Sequence, residues 1–260
     1  MTLTALITGG TSGIGLSLSR ILVDQGWKVT CLGRRSMTGS EGTVFASADF
    51  AELATIRGFV ASNSDQWDLL VMNAGIGTCR PGHGARSVSH DGYELRFQVN
   101  YLAHYFLLIG LIEEGRLTTD FRCTAIITER IAVPDFKEIH MGGSYDAHAA
   151  YSRSKGALAM LCLDVCEGIY GFGRGRAITC DPGSYIPTGM DRPGRPRLTP
   201  LSLAVERVEA AMAKTAAGRC GPADFAHLPA AIRSKQERER LREVSNVLVR
   251  NAVDGDMPAR

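Results

Sequence analysis

The sequence predicts an α/β fold, in which a doubly wound and mainly parallel sheet forms a single domain over residues 1–260. Short apolar runs typical of buried strands alternate with helical patterns at short intervals. The first apolar run leads directly into a glycine-rich turn and then into a helical pattern, as expected for such a sheet. No linker that would separate a second domain is visible in the sequence.

The strands and helices follow from these patterns in chain order. Apolar runs predict strands over residues 3–7, 28–32, 67–72, 122–128 and 177–180. Helical patterns cover residues 16–25, 49–61 and 92–114, and a further helix begins near residue 149. A C-terminal helical extension of about 201–250 contains two helical patterns, 201–216 and 230–249. A polar insertion occupies residues 131–147, and a segment rich in proline and glycine over residues 184–200 predicts a flap over a pocket.

The composition argues against several kinds of partner. A formal net charge of +2 is too small to indicate nucleic acid or an anionic membrane surface. No apolar run approaches the roughly 20 residues that span a bilayer, so we expect no membrane span. The seven cysteines are scattered and include no Cys-x-x-Cys pair, which fits a reduced, cytoplasmic protein without a metal site.

The glycine-rich turn predicts a nucleotide site. Its glycines have the spacing Gly-x-x-x-Gly-x-Gly between a strand and a helix, where backbone amides and the helix N-terminus can approach a pyrophosphate. The alternative is that these glycines only form a tight turn. The candidate pyrophosphate-binding residues are Gly9, Thr11, Ser12, Gly13, Ile14 and Gly15.

The end of the second strand indicates which dinucleotide is bound. A carboxylate there would bond the 2′-hydroxyl of the adenine ribose, whereas an arginine can neutralise a 2′-phosphate. The chain has Arg34 and Arg35 at this point, which favours NADP over NAD. One or both arginines could instead be solvated surface charges, Arg35 more readily than Arg34. Asp49, at the start of a predicted helix, is expected to cap that helix and could also lie near the adenine.

Two further strands end in turns of polar and small residues, and a polar residue also lies in the middle of a predicted helix. Ligands collect at the carboxyl ends of strands in open α/β sheets, so these turns belong to the same cofactor edge. A mid-helix asparagine is unfavourable by propensity, which predicts a buried polar task or a structural hydrogen bond for Asn100. The turn residues concerned are Asn73, Ala74 and Gly75, and later Pro182 and Gly183.

Tyr151 and Lys155 predict an acid and its supporting cation. Residues four apart lie on one face of a helix, so the phenol and the ammonium can address the same small volume. A nearby cation favours the phenolate and brings the pKa of a tyrosine towards the range useful for proton transfer. The chain has few lysines, which gives Lys155 additional weight.

These motifs, taken together and in this order, resemble the short-chain dehydrogenase/reductase family over roughly residues 3–190. The resemblance implies a Rossmann-type fold and an NADP-dependent enzyme acting on a small molecule. Residues 91–100 and 186–190 are similar to the branch of retinol dehydrogenases and protochlorophyllide reductases. The residues that carry the family resemblance are 8–15, 73–75, Asn100, 151–155 and 181–183.

The resemblance also implies individual roles. Tyr151 would be the general acid that protonates a carbonyl oxygen as hydride arrives from the nicotinamide. Lys155 would hold the nicotinamide ribose and lower the pKa of the tyrosine, and Asn100 would help to position a proton-relay water. Thr188 would meet the nicotinamide carboxamide, while residues 9–15 would cradle the pyrophosphate.

One expected residue is missing from the sequence. The family normally has a serine just beyond the fifth strand, but this chain has Arg130 there, or Glu129 in the other register. Thr128 could supply the hydroxyl after a small register shift, Arg130 could stabilise the oxyanion, or Ser144 could fold back from the insertion. A further alternative is an ion pair of Glu129 with Arg130 at the pocket rim, with reduced or lost redox activity.

Three functions remain compatible with the sequence. The first is an NADP-dependent oxidoreductase acting on a carbonyl or alcohol of a small organic molecule. The second is a non-redox enzyme, such as a cyclase, dehydratase or isomerase, that uses Tyr151 or Arg130 and keeps the dinucleotide as a structural group. The third is a cofactor-sensing binding protein. By analogy with the fold, a homodimer or homotetramer would form through the helices of Asn100 and Tyr151, and residues 157–162 could serve that contact or fill the core.

Overall fold

The architecture is a parallel sheet covered by helices on both faces. The computed structural model describes residues 2–34, 42–78, 85–136, 139, 144–188, 198–216, 218 and 220–254. The strands are β1 (Thr4–Thr8), β2 (Lys28–Gly33), β3 (Thr43–Ser47), β4 (Trp67–Met72), β5 (Leu117–Ile126) and β6 (Ala177–Cys180). The helices are α1 (Gly13–Asp24), α2 (Leu53–Ser62), α3 (Leu95–Phe97), α4 (Ala103–Glu113), α5 (Ala147–Cys166), α6 (Leu201–Ala216), α7 (Ala230–Arg233) and α8 (Lys235–Asp254), with a π-helical turn Gln98–Leu102 and a 3₁₀ turn Pro222–Phe225.

The sheet has the order β3-β2-β1-β4-β5-β6, and every neighbouring pair of strands is parallel. The predicted α/β doubly wound class is therefore confirmed. β1 lies in the middle, where Leu6 pairs with Thr30 on one side and Leu70 on the other. It is apolar along its length because helices cover both faces of the sheet: α1 and α6 form one layer, and α2, α4 and α5 form the other.

Two element predictions in the first part of the chain need correction. The sequence did not predict the strand β3 at Thr43–Ser47. This edge strand is short and half exposed, so its pattern is weak, and it forms a strand by pairing with β2. The helix predicted from Asp49 begins at Leu53. Asp49 does not cap it, because its Oδ1 accepts the amide of Ala51 (2.9 Å), while Asp91 Oδ2 accepts the amide of Leu53 (2.8 Å) from a distant loop.

The C-terminal helix α8 lies over the helices of Asn100 and Tyr151, which were expected to form the contact of a homodimer or homotetramer. The predicted helix 230–249 is divided at Ser234, and α8 then contacts both α2 and α5. Polar side chains of α8, and one of its backbone carbonyls, contact three tyrosines of residues 93–105 and an acidic cluster at the end of α5. The pairs are Tyr93 with the carbonyl oxygen of Leu248, Tyr101 with Ser245, Tyr105 with Asn246, Arg238 with Asp164 and Glu167, and Arg242 with Asp164.

The burial of α5 decides the role of residues 157–162. Every residue from Ser154 to Cys166 is buried within the single chain, and residues 157–162 are each at most 2% exposed. These side chains fill the core and offer no surface for a second copy. A homodimer or homotetramer stays a prediction, but this part of α5 does not supply its contact.

The helical segment Leu95–Glu113 has the length and apolar composition of a membrane span, which the sequence was not expected to contain. Its most apolar window is 72% buried inside the protein, as in the core helix of a globular fold. The six described cysteines, residues 31, 123, 162, 166, 180 and 220, are all buried and unpaired, whereas Cys79 lies outside the described residues. They behave as small core side chains.

Candidate active site

The candidate residues follow the carboxyl ends of five parallel strands. The glycine-rich turn follows β1, Arg34 follows β2, Asn73 follows β4, Thr128 follows β5, and Pro182 follows β6. Because all six strands are parallel, these ends meet at one edge of the sheet. The topology therefore brings together residues that are up to about 170 positions apart in the chain.

The glycine-rich turn has the geometry of an anion cradle. Gly9 and Gly13 have φ of +66° and +54°, which favours glycine, and a Cβ on Gly15 would come within 2.5 Å of the carbonyl oxygen of Gly9. Helix α1 begins at Gly13 with no side-chain hydrogen bond from Ser12 and no acidic residue in its first turn. Its N-terminal amides are thus left for an anion such as the pyrophosphate of a dinucleotide.

Thr8 connects this turn to the end of β4. Its Oγ1 accepts the amides of Asn73 and Ala74, each at 2.9 Å, and lies 3.1 Å from Val71 O. Asn73 Nδ2 donates to Thr8 O (2.8 Å) and to Gly9 O (3.2 Å). Asn73 and Ala74 therefore lie at the carboxyl edge of the sheet beside the glycine turn, and the side chain of Asn73 ties β4 to that turn.

His104 is a site residue that the sequence did not reveal. Its Nε2 lies 3.0 Å from Thr8 Oγ1, and the ring is completely buried. Burial and the nearby charge of Lys155 lower the pKa of His104 to about 3, so the imidazole is neutral. Its position four residues after Asn100 on the same helix was the only signal in the sequence.

Asn100 lies in the π-helical turn Gln98–Leu102, an irregularity that often marks a functional position. Its Nδ2 donates to Ser154 Oγ (2.9 Å) and Ile76 O (3.1 Å), and its Oδ1 accepts the amide of Ile76 (2.7 Å). Of the two alternatives for this asparagine, the structure shows hydrogen bonds within the protein, which tie the loop after Gly75 to α5. Both amide hydrogens are used in this contact.

Lys155 is 2% exposed, and its Nζ donates to Ile126 O (2.8 Å) at the end of β5. Burial lowers its pKa to about 8. A Cβ on Gly75 would lie 3.4 Å from this Nζ and 3.1 Å from Asn100 Oδ1, so the ammonium and the amide flank the same small turn. Lys155, Asn100 and Gly75 are brought together as the sequence predicted.

Tyr151 is half-buried in the second turn of α5. Asp146 Oδ1 caps this helix by accepting the amides of His148 (2.8 Å) and Ala149 (3.4 Å). The carbonyl of Tyr151 accepts Ser154 Oγ (2.8 Å), and Ser154 in turn accepts Asn100 Nδ2. This chain of hydrogen bonds fixes the backbone of Tyr151 relative to the helix of Asn100.

The start of α5 is also held by a buried ionic cluster. Tyr145 donates its hydroxyl to Glu94 Oε1 (2.7 Å) and accepts a hydrogen bond from Arg96, and Glu94 and Arg96 are themselves paired at 3.5 Å. Burial of the phenol raises the pKa of Tyr145, and the nearby Glu94 carboxylate raises it further, so the phenol stays protonated. Tyr145 therefore anchors the end of the insertion and is a poor proton donor.

The residues proposed for the missing serine differ in exposure. Thr128 is half-buried just beyond β5, whereas Glu129, Arg130 and Ser144 are exposed. Among the described residues, Glu129 and Arg130 do not form the expected ion pair with each other. The chain then turns onto α5, where Ala132 N donates to Ser152 O (3.1 Å).

The remaining candidates lie along the same edge or beyond the described chain. Arg34 is exposed directly after β2, and Arg35 lies outside the described residues. The side chain of Thr188 lies against Gly13, 2.9 Å from where a Cβ would stand, which places it beside the pyrophosphate cradle. Pro182 O accepts Arg207 Nη1 (3.3 Å), and Gly183 has φ of +110°.

Comparison with known proteins agrees with this architecture. The family model described as short chain dehydrogenase matches residues 3–114. The chain belongs to the short-chain dehydrogenase/reductase family. Polyprenol dehydrogenase of Mus musculus is 31% identical over 182 residues, and polyprenol dehydrogenase of Danio rerio is 31% identical over 209 residues. These matches cover 62% and 69% of this short-chain dehydrogenase/reductase but only 53% and 60% of the relatives.

Two solved structures share the fold of this short-chain dehydrogenase/reductase. An uncharacterised protein of Mycobacterium paratuberculosis has a TM-score of 0.73 at 22% identity, with 95% of this chain and 93% of that chain covered. A short-chain dehydrogenase/reductase of Burkholderia multivorans, with NADP bound, has a TM-score of 0.59 at 18% identity, with 84% of this chain and 93% of that chain covered. At these identities the structures support the fold of the family.

Proposed function

We propose that the protein is an NADP-dependent oxidoreductase that transfers hydride between the nicotinamide and a carbonyl or alcohol of a small apolar molecule. One observation carries the proposal: Lys155 and Asn100 are buried side by side at the strand edge, on the two helices that also hold Tyr151 and the π-helical turn. A buried ammonium is costly unless its charge is used, so its place beside a glycine-rich cradle supports a catalytic role.

The residues present fit the dinucleotide. The amides at the start of α1 and the glycines at residues 9, 13 and 15 form a cradle for the pyrophosphate, with Thr188 beside it. Asn73, Ala74 and Gly75 form the floor of the same edge. Arg34 and Arg35 would hold the 2′-phosphate, which distinguishes NADP from NAD.

The chemistry of this chain's residues is proton transfer and charge stabilisation. NADPH supplies the hydride when it is bound. In reduction, Tyr151 donates its phenolic proton to the carbonyl oxygen, and the ammonium of Lys155 stabilises the phenolate that remains. Because both side-chain amide hydrogens of Asn100 are used within the protein, its contribution is to hold the loop after Gly75 and α5 in place.

For the missing serine, we propose Thr128 as the hydroxyl that bonds the substrate oxygen. It is the half-buried member of the three alternatives and lies two residues beyond the end of β5. Glu129 and Arg130 are exposed beside it, where they can line the rim of the pocket. The names of two relatives, polyprenol dehydrogenase and retinol dehydrogenase 13, indicate apolar isoprenoid alcohols as a first substrate class to test.

The experiment is NADPH turnover with a panel of aldehydes and ketones that includes retinal and short isoprenoid aldehydes. Tyr151→Phe is expected to lower kcat by at least ~10²-fold with nearly unchanged NADPH affinity, because it removes the acid and keeps the ring. Thr128→Val is expected to lower kcat as well, whereas Ser144→Ala serves as the matched control and leaves it unchanged.

Unchanged turnover in Tyr151→Phe would exclude Tyr151 as the acid. Product formation without a change in nicotinamide absorbance would replace hydride transfer by the non-redox alternative. Tight NADPH binding without turnover of any ligand would point to a cofactor-sensing protein.

A further inference from the structure

A cleft of about 450 Å³ lies at the amino edge of the sheet, opposite the edge that carries Tyr151. Its walls come from the end of α1, from α6, from Trp27 just before β2, and from Leu69 in β4 and Arg122 in the middle of β5. The lining is mainly apolar and includes Leu22, Trp27, Leu69 and Met212. This volume falls within the range of small-molecule sites, roughly 300–1,000 Å³.

Arg122 is the cationic group of this cleft. Its guanidinium stands 5.5 Å from the centre of the Trp27 ring, and the residue pairs in the sheet with Leu69. Within the part of the chain that the structure describes, this guanidinium has no carboxylate at ion-pair distance and no hydrogen-bond partner. Burial lowers the pKa of Arg122, which shows that its charge is partly removed from water.

The acidic residues closest in sequence to this site are already engaged. Asp68 accepts hydrogen bonds from Thr4 (2.8 Å) and Thr118 (3.0 Å), and Asp120 pairs with Arg176 at 3.0 Å. Both carboxylates favour the charged form of Arg122 from a distance, but neither contacts its guanidinium. No nitrogen of Arg122 is among the fully buried atoms without a hydrogen-bond partner, so water reaches the guanidinium, and a carboxylate in the cleft would exchange with that water for a charge-assisted hydrogen bond.

The α6 wall limits the charge that the cleft can accept. Glu206 is exposed and Glu209 is half-buried on this helix, and both line the cleft. Their repulsion disfavours a ligand with two negative charges and confines a single carboxylate to the opposite wall, which Arg122 and Trp27 form. A long apolar body can then lie along Leu22 and Met212.

We propose that this cleft binds a small amphipathic monocarboxylate, with the carboxylate on Arg122 and the apolar body against Trp27 and Met212. Arginine suits this task because its planar fork bonds both oxygens of a carboxylate. The site lies at the other edge of the sheet from the proposed cofactor cradle, so the ligand would bind in addition to NADPH and would not replace it.

The indole of Trp27 reports on the cleft. The chain has two tryptophans, and Trp67 is completely buried in β4. Titration with octanoate is expected to change the fluorescence of the intact chain in a saturable manner, with one site by calorimetry. Octanol and octylamine share the apolar body but lack the carboxylate, and they should bind at least ~10-fold more weakly because a charge-assisted hydrogen bond is worth about 1.5–3 kcal/mol.

Variants assign the response to this cleft. Arg122→Gln should weaken octanoate binding by ~10-fold or more. Ala213→Phe, on the exposed face of α6, should block the cleft without changing Arg122. Glu209→Gln should leave binding unchanged or strengthen it, and Trp27→Phe should remove the fluorescence response while calorimetry still detects a ligand.

Four results would overturn the proposal. Three are equal binding of octanoate and octanol, preference for octylamine, and unchanged octanoate affinity in both Arg122→Gln and Ala213→Phe. The fourth is octanoate binding that NADPH abolishes, which would place the ligand at the edge of the proposed cofactor cradle instead. Because the readouts are fluorescence and heat, the result does not depend on whether Tyr151 catalyses hydride transfer.

Discussion

Replacement of Gly156 by alanine is expected to destabilise the protein and displace the chain beside the active site. Gly156 follows Lys155 on α5, and a Cβ there would lie 2.8 Å from the carbonyl carbon of Ala132 and closer still to its oxygen. Real side chains keep their Cβ at least 3.0 Å from other heavy atoms, so the backbone of Ala132 would have to move by roughly 1 Å.

The magnitude follows from three terms. Overpacking against a backbone carbonyl costs about 1–3 kcal/mol, and weakening the hydrogen bond from Ala132 N to Ser152 O costs about 1 kcal/mol more. The higher helix propensity of alanine returns about 1 kcal/mol. The free energy of unfolding should therefore fall by about 2 kcal/mol, which lowers Tm by roughly 4–8 °C for a chain of this size.

Gly58→Ala is the matched control, because Gly58 lies in helix α2 with no atom within 4 Å of a new Cβ. This variant should gain about 0.5–1 kcal/mol in urea unfolding. Gly156→Ala should also lower kcat, since Thr128 lies on the displaced segment and a shift of about 1 Å can cost ~10²-fold. Equal stability of the two variants would show that the segment after β5 does not lie against α5.

Three further predictions address the buried polar groups. In the folded protein Lys155 has a pKa of about 8, against 10.5 for a solvated lysine side chain, so between these pH values the unfolded chain binds more protons. The free energy of unfolding should therefore rise with pH by up to ~3 kcal/mol. Lys155→Met should lose this rise in urea unfolding, and parallel pH profiles of the two proteins would contradict the prediction. His104→Phe should weaken NADPH binding several-fold in calorimetry, because the hydrogen bond to Thr8 is lost. His104→Gln should restore part of the NADPH affinity. If it does not, His104 has only a packing role. Arg238→Met should cost about 3 kcal/mol because it removes the buried cation that pairs with both Asp164 and Glu167, although Arg242 still pairs with Asp164. The exposed pair of Lys28 makes Lys28→Met a control worth under ~1 kcal/mol in thermal unfolding, and similar losses would refute the distinction.

The sequence was most informative where structure depends on neighbouring residues. Continuous apolar runs located five of the six strands, because strands buried on both faces need no polar side chains. The glycine turn was recognisable because its backbone conformation at Gly9 and Gly13 excludes other residue types. The remaining strand, β3 (Thr43–Ser47), was missed because half of its surface is exposed and its apolar pattern is weak.

The candidate site was predicted in part for a related reason. Tyr151 and Lys155 are joined by helix periodicity, and the strand ends are joined by the parallel topology. The role of His104 was missed because its partner, Thr8, is 96 positions away. Spacing alone could not choose among the candidates for the missing serine. They differ in exposure, which depends on the folded chain: Thr128 is half-buried, whereas Glu129 and Arg130 are exposed.

The sequence by itself determined the α/β class, the order of the five strands that it located and the edge of the sheet at which the candidate site residues gather. These follow from local periodicity and from the conformations that glycine and proline permit. Only the tertiary structure decided that Asp91 caps α2, that α8 covers the helix of Tyr151, and that Arg122 has no described acidic partner. Each of these depends on which distant side chains meet after folding, and contacts over long sequence separations leave no period in the sequence.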